Sequence, residues 1–279
     1  MTKAKLANLA GLLVMIAFVV ITLFPFYWMV MTAIMPTSAI LSRAPSLLPD
    51  LSRISFTAFV SVFTKSPFLS WMLSSLIVGG ASTILSLVVS TLAGYSLSRW
   101  NSKPQQALGA ALLISKLIPS SLILIPLFII YSTAGLIDSY LGLVLAHMTI
   151  GVPLATWLMK GFFDRIPREL EQAATIDGAS QIQALWLVVL PLVKPGLAAS
   201  TVYLMLTSWS EFIFGRTLIT EPTRQVLTVG MQSFVGEQMV DWQLLMAAGT
   251  ISIVPAIIVF VFLEPFLVSG MTKGALAGT

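Results

Sequence analysis

The sequence offers very few side chains that could perform chemistry. It contains no cysteine and a single histidine, His147, which excludes thiol nucleophiles, thiolate metal sites and any site that needs two imidazoles. The phosphate loop G-x-x-x-x-G-K-[ST], the zinc motif H-E-x-x-H and the nucleophile motif G-x-S-x-G are also missing. Two charged side chains, Lys116 and Glu211, interrupt long apolar stretches. We therefore predict a chain that is not an enzyme and holds no metal or cofactor of its own.

Residues 165–180 mix charged, apolar and small residues, unlike the long apolar stretches. Pro167 suits the first residue of a helix, where its missing N–H costs nothing, and two acidic residues follow in the first turns, Glu169 and Glu171. Spacings of three and four place three residues on one narrow apolar face: Leu170, Ala173 and Ala174. Gly178 is suited to end the helix in a left-handed conformation.

A second helix is predicted directly after this glycine. Ser180 and Gln183 have the spacing of a capping box, in which each residue satisfies the other's backbone N–H. Residues 184–190 continue the helix until Pro191 and Pro195 stop it. A short helix, a sharp turn and a second helix form a rigid projection with mixed charge, which we interpret as a docking site for a partner protein.

The rest of the chain must place this projection at a membrane surface. Of 279 residues, 57% are hydrophobic and 9% are charged, whereas soluble domains carry about 25% charged residues. One globular core cannot hide so much apolar surface. Disordered chains and secreted disulfide scaffolds are excluded, and the basic residues do not cluster as nucleic-acid binding requires.

Apolar stretches long enough to cross a bilayer occur six times. We place the six transmembrane helices near residues 8–33, 71–97, 108–132, 139–159, 196–215 and 242–263. The first stretch is too long for a signal peptide and has no A-x-A-like site, so we expect it to remain as a helix.

Lysine and arginine set the orientation, because cytoplasmic loops are enriched in them. With the N-terminus inside, nine bases are cytoplasmic: Lys3, Lys5, Arg99, Lys103, Lys160, Arg165, Arg168, Lys194 and Lys273. Five are outside: Arg43, Arg53, Lys65, Arg216 and Arg224. Both termini are therefore predicted to be cytoplasmic, and the docking projection lies on the same side.

The projection also resembles a known motif. Residues 171–178, Glu-Gln-Ala-Ala-Thr-Ile-Asp-Gly, followed after nine residues by Val188-Val189-Leu190-Pro191, resemble the EAA loop of bacterial ABC importer permeases. Gln172 stands where that family usually has glutamate, and Val188 where it has isoleucine. Trp209-Ser210-Glu211-Phe212 is similar to the W-N-[DE]-F segment of carbohydrate permeases. The whole chain resembles the smaller permease subunit of maltose- or trehalose-type sugar importers.

The resemblance implies an all-α, six-helix type I ABC importer permease in a bacterial inner membrane. It implies residues 1–70 as first helix and outer loop, 71–266 as permease core with coupling loop 161–194, and 267–279 as cytoplasmic tail. Its partners would be a second, homologous permease chain, two ATP-binding subunits that use ATP and Mg²⁺, and an extracytoplasmic sugar-binding protein.

The resemblance also assigns roles to residues. The residues that would couple to the ATPase are Glu169, Glu171, Gln172, Ala173, Ala174, Asp177 and Gly178. Either Glu171 or a neutral hydrogen bond from Gln172 would replace the usual glutamate. Trp209, Ser210, Glu211 and Phe212 would line the translocation path, although Glu211 could instead lie near the interface. Gln232, Ser233 and Phe234 would reach the binding protein.

Other functions fit less well. An importer for another polar solute, such as a phospho-glycerol compound or a polyamine, would use the same coupling loop. A secondary transporter would need coupling carboxylates in several spans, and only Glu211 and Lys116 are candidates. An intramembrane serine protease using His147 lacks its nucleophile motif. We expect structural roles for His147 and Lys116; Lys116 would extend toward the interface or pair with a carboxylate such as Glu211.

Overall fold

The computed structural model describes residues 3–40, 42, 47–100, 102–236 and 239–276, with side chains described from residue 8 to residue 268. Arg43, Glu237 and Gln238 lie outside the described residues, as do the side chains of Lys3, Lys5 and Lys273. The chain divides into two compact units. One comprises Met1–Leu69 with Met231–Val254, and the other Ser70–Gly230 with Pro255–Thr279.

The first unit is built around α1. Its elements are α1 (Lys3–Ile34), α2 (Thr37–Ile40), α3 (Thr57–Thr64), a 3₁₀ turn (Met231–Phe234) and the first part of α14 (Trp242–Leu276). Met31, Ile34 and Met35 form a buried cluster at the end of α1. The Gln243 side chain donates to the Met35 carbonyl, which fastens the start of α14 to this cluster.

The second unit contains the remaining helices. They are α4 (Phe68–Arg99, entering the unit at Ser70), α5 (Lys103–Ser115), α6 (Ser120–Thr133), α7 (Tyr140–Phe163), α8 (Glu169–Ile176), α9 (Gln181–Ala184), α10 (Leu190–Leu192), α11 (Lys194–Trp209), α12 (Ile213–Leu218) and α13 (Leu227–Gly230). Helix α7 packs against α11, α5 and α12 and lies at the centre of the unit. Two glycines allow close packing: a Cβ on Gly94 would lie 2.8 Å from Met159 Cβ, and one on Gly151 would lie 2.6 Å from Leu204 Cδ2.

The helices confirm the all-α membrane class. Four are long and apolar enough to cross a bilayer: Asn8–Ile34, Phe68–Arg99, Tyr140–Phe163 and Trp242–Val268. If each of two bent pairs counts as one span, the total is the predicted six. Lys103–Ser115 and Ser120–Thr133 meet at 106°, and Gln181–Leu192 and Lys194–Trp209 meet at 79°. The third predicted span is therefore broken, because Pro119 supplies no N–H at the junction.

The fifth predicted span also differs from the sequence-based prediction. We expected one helix over residues 196–215, but α11 ends at Trp209 and α12 begins at Ile213. The interruption falls on Glu211, whose carboxylate accepts the backbone N–H groups of Phe214 and Gly215. An acidic side chain at this position stabilises the start of a new helix.

Candidate functional site

The predicted docking projection is formed by α8 and α9. Glu169 and Glu171 lie in the first turn of α8, near the positive end of the helix dipole. Gly178 ends the helix with φ +95°. The N–H of Ala179 donates to the carbonyl of Ala174 at 2.9 Å, and that of Gly178 to the carbonyl of Thr175 at 3.0 Å. This pair of bonds is the Schellman motif, which requires a left-handed residue where Gly178 stands.

The connection to α11 follows only part of the prediction. The Ser180–Gln183 capping box is confirmed, with both reciprocal bonds present. The helix after it is not uniform, since Leu185–Val189 form a π-helical turn. Pro191 lacks the N–H that an α-helix would donate to Leu187, and the widened turn falls directly before it. Pro167 lies two residues before Glu169 rather than at the first helical position.

The most ordered polar group of the site is the Glu171 carboxylate. Arg99 Nε lies 2.6 Å from Glu171 Oε1, and Tyr95 donates its hydroxyl to Oε2 at 2.7 Å. The Arg99 and Glu171 side chains are 7% and 15% exposed. Arg99 also donates to the carbonyls of Phe163 and Ile166. One guanidinium therefore joins the ends of α4 and α7 to α8.

The opposite side of α8 is open. Gln172, Ala173, Asp177 and Gly178 are exposed, and Ala174 is half-buried. Ile176 is 87% exposed, a large apolar side chain that the sequence analysis did not single out. Of the two proposed replacements for the family's glutamate, Gln172 is free to meet a partner, whereas Glu171 is engaged inside the chain.

A cavity of about 570 Å³ adjoins this surface. It lies between the end of α4 and the helices α8 and α9, and its lining includes Trp100, Arg168, Gln172, Ile176 and Gln181. The lining mixes apolar, amide and cationic groups. Such a recess could receive a projecting side chain of a docked protein.

Glu211 forms a second polar group, deep in the helices. Its side chain is 8% exposed, and Oε2 lies 3.3 Å from His147 Nε2. His147 Nδ1 shares a hydrogen bond of 2.6 Å with Ser208 Oγ, which lies 3.1 Å from Ser82 Oγ. The chain of contacts ties α4, α7 and α11 to the start of α12, and the structural role of His147 stays a prediction.

The other predicted path residues are less enclosed. Trp209 is half-buried, Phe212 and Ser210 are exposed, and the Ser210 hydroxyl donates to the Leu206 carbonyl. Lys116 lies at the α5–α6 break and donates to the carbonyl of Ile150 at 2.8 Å, so the pairing with Glu211 considered above is wrong.

The predicted binding-protein loop lies in the first unit. Gln232 and Ser233 are exposed on the 3₁₀ turn, but Phe234 is buried. Asp241 N–H donates to the Phe234 carbonyl at 2.9 Å, and Val235 pairs with Val240. The two polar side chains can meet a partner, while Phe234 anchors the turn.

Asp138, between α6 and α7, is a junction that the sequence analysis missed. Its φ is +55°, its carboxylate accepts the hydroxyl and N–H of Thr220 and the N–H of Glu221, and its carbonyl accepts from Arg224. The Thr220 side-chain and backbone bonds hold the pKa of Asp138 below its usual value. The signal of this junction is the left-handed backbone of a non-glycine residue. The sequence alone does not show that conformation.

We expect Asp138→Asn to lower the melting temperature of the purified protein at neutral pH by about 2–4 °C. Asparagine tolerates the left-handed backbone but removes the charged acceptor. Because the native pKa is lowered, the stabilisation exists above the unfolded-state pKa and is lost as pH falls through the native pKa. The difference between the two proteins should therefore shrink below pH 4. A difference that stays constant with pH would contradict this role.

Comparison with known proteins places the chain in a family. Residues 86–273 match the family described as binding-protein-dependent transport system inner membrane component, which is well over half of the chain. The chain belongs to this family. The predicted resemblance to ABC importer permeases is thereby confirmed, and the protein is a multi-pass membrane permease.

Individual relatives match most of the permease. The trehalose transport system permease protein of Mycobacterium tuberculosis is 32% identical, over 92% of this chain and 93% of its own. The maltodextrin transport system permease protein of Bacillus subtilis is 33% identical, over 79% and 80%. A crystal structure of a bacterial ABC transporter that imports alginate has a chain with the same fold, with TM-score 0.79, 21% identity and coverage of 95% and 98%.

Proposed function

We propose that this permease forms half of the translocation pore of an ATP-driven importer for a disaccharide or short oligosaccharide of the maltose or trehalose type. The support for the sugar class is that relatives of near-equal length carry maltodextrin and trehalose in their names. ATP and Mg²⁺ would be bound by separate subunits, two per transporter, and a second, homologous permease would complete the pore. Both termini would be cytoplasmic.

The observation that carries the coupling proposal is the fixed, two-sided arrangement of α8. One side is tied to α4 and α7 through Glu171 and Arg99. The other presents Gln172, Ala173 and Ile176 to an ATPase. A displacement of the ATPase surface would move α8, and the buried ion pair would pass that motion to the transmembrane helices. Differential affinity of the projection for the open and closed ATPase would supply the coupling energy.

The substrate side of the proposal places Trp209, Ser210 and Phe212 near the solute path. Glu211 would position them indirectly, because its carboxylate stabilises the break between α11 and α12. Gln232 and Ser233 would compete for sugar hydroxyls in an opened binding protein.

The absence of cysteine makes a direct docking test possible. In the assembled transporter we expect Ala173→Cys to form a disulfide or short bifunctional cross-link with a single cysteine on the ATPase. Thr223→Cys, at an exposed position near Asp138 on the opposite side of the predicted membrane, should form none. The yield should change when ATP closes the ATPase, as coupling requires. Equal cross-linking at both positions, or none at Ala173, would refute docking through α8.

Transport of the sugar itself is tested separately. The purified transporter, reconstituted with its binding protein, should take up a labelled maltose- or trehalose-type sugar with ATP inside. Uptake of a polyamine or a glycerol-phosphate compound instead would refute the sugar substrate but leave the coupling proposal standing.

A further inference from the structure

A second cavity, of about 460 Å³, lies beside the first and shares Trp100 and Arg168 with it. It is enclosed by the end of α4, the length of α5 and the last turns of α7. Half of its lining is apolar or small, contributed by Leu97, Gly109, Ala110, Leu113 and the two indoles of Trp100 and Trp157. The Trp157 indole is fixed, because its N–H donates to the Gly109 carbonyl at 3.1 Å.

The remaining lining is polar and includes two cations, Lys160 and Arg168. Lys160 Nζ lies 5.6 Å from the centre of the Trp157 ring and 2.6 Å from Asp164 Oδ2. Arg168 donates one N–H to the Ser98 carbonyl, and a guanidinium has five such donors. Both cations therefore line the cavity with their positions already fixed by the protein.

Gln105 supplies an acceptor that needs a donor. Its Oε1 is buried and has no hydrogen-bond partner in the part of the chain that the structure describes. A buried acceptor without a hydrogen bond loses the bonds that it made to water in the unfolded chain, which is unfavourable. A ligand that brings an anion and an N–H or O–H would pair with both cations and with Gln105 Oε1.

We propose that this cavity binds the headgroup of one inner-leaflet phospholipid with an ethanolamine or glycerol headgroup. The phosphate would lie between Lys160 and Arg168, the headgroup N–H or O–H would donate to Gln105, and an acyl chain would run along Leu113 and the exposed Ile114 of α5. Tryptophan and basic residues at the ends of membrane helices are the groups that lipid headgroups contact. Assignment to the inner leaflet rests on the orientation proposed above.

The test is native mass spectrometry of the delipidated, intact transporter, titrated with single lipids. Phosphatidylglycerol and phosphatidylethanolamine should bind one molecule per chain more tightly than phosphatidylcholine, whose quaternary ammonium cannot donate to Gln105. Lys160→Gln should weaken binding about fivefold, the loss expected for one base near an anionic surface. Gln105→Leu should abolish the preference for phosphatidylethanolamine over phosphatidylcholine.

The matched control is Lys103→Gln, a basic residue of α5 that does not line the cavity. It should bind lipid as the unaltered protein does. Equal losses in Lys103→Gln and Lys160→Gln would show non-specific attraction and overturn the proposal. Competition by inorganic phosphate would assign the cavity to a soluble phosphate compound, and binding only after the ATPase is removed would assign it to the protein interface. Either result also refutes the lipid site, while neither affects the proposed transport of sugar.

Discussion

Arg99→Ala is expected to reduce ATP-driven uptake at least tenfold while the chain still inserts and assembles. Removal of one partner from a buried ion pair costs about 3–5 kcal/mol, because the other charge stays buried without compensation. Here the lower end applies, since Glu171 is 15% exposed and keeps its bond from Tyr95. The substitution removes the charged contact of α8 with α4 and the bonds of Arg99 to the end of α7, so ATP hydrolysis should continue without driving transport.

The measurement is uptake and ATP hydrolysis by the same reconstituted vesicles, with and without sugar-loaded binding protein. Arg165→Ala is the matched control, since Arg165 is an exposed base between α7 and α8 that contacts the Phe162 ring. It should retain uptake. Tyr95→Phe removes only one neutral donor to the carboxylate and should give a smaller loss. Uptake at the normal rate by Arg99→Ala would show that α8 transmits motion by another route.

Glu211→Ala is expected to cause the second large loss, in stability as well as in transport. The substitution leaves the N–H groups of Phe214 and Gly215 without their acceptor and removes the carboxylate beside His147. Loss of a helix cap alone costs about 0.5–2 kcal/mol, and the burial of these groups favours the upper part of that range. Glu211→Gln retains one acceptor oxygen, so its stability should lie between that of Glu211→Ala and that of the unaltered protein.

Thermal unfolding of the purified protein measures the loss of stability, and uptake by reconstituted vesicles measures the loss of transport. Glu264→Ala is the control, because Glu264 is an exposed carboxylate on α14. We expect its melting temperature to match that of the unaltered chain. If Glu211→Ala unfolds at the same temperature as the control, the cap does not stabilise the break. Loss of uptake without loss of stability would instead favour a direct role for the Glu211 charge in the solute path.

The parts of the site that were predictable depend on near neighbours in the chain. The Ser180–Gln183 capping box and the terminating Gly178 follow from residues within four positions of each other, where backbone geometry leaves few solutions. We predicted that the helix begins at Pro167, whereas α8 begins two residues later, at Glu169. Helix ends are ordinarily uncertain by one or two residues. Gln172 and Ala173, which we expect to contact the ATPase, are exposed, and their role stays a prediction.

The parts that were missed depend on distant residues. Arg99 and Glu171 are 72 positions apart, and nothing in either local sequence distinguishes an ion pair inside the chain from one with a partner. We counted Arg99 only as a cytoplasmic base. Glu211 presented the same difficulty, because a carboxylate in an apolar stretch has the same sequence signal whether it faces a solute or caps a helix. The 79° bend at the start of α11 and the π-helical turn before it likewise depend on packing of the whole unit.

The break between α5 and α6 restricts what can surround residues 116–119 in the membrane. Residues 116–119 interrupt the helical hydrogen bonding within a predicted span, and Leu117 is 81% exposed there. Hydrocarbon offers no donors or acceptors, so irregular backbone at bilayer depth must be covered by protein or face water. We therefore expect residues 116–119 of the membrane-inserted permease to face water or protein rather than acyl chains.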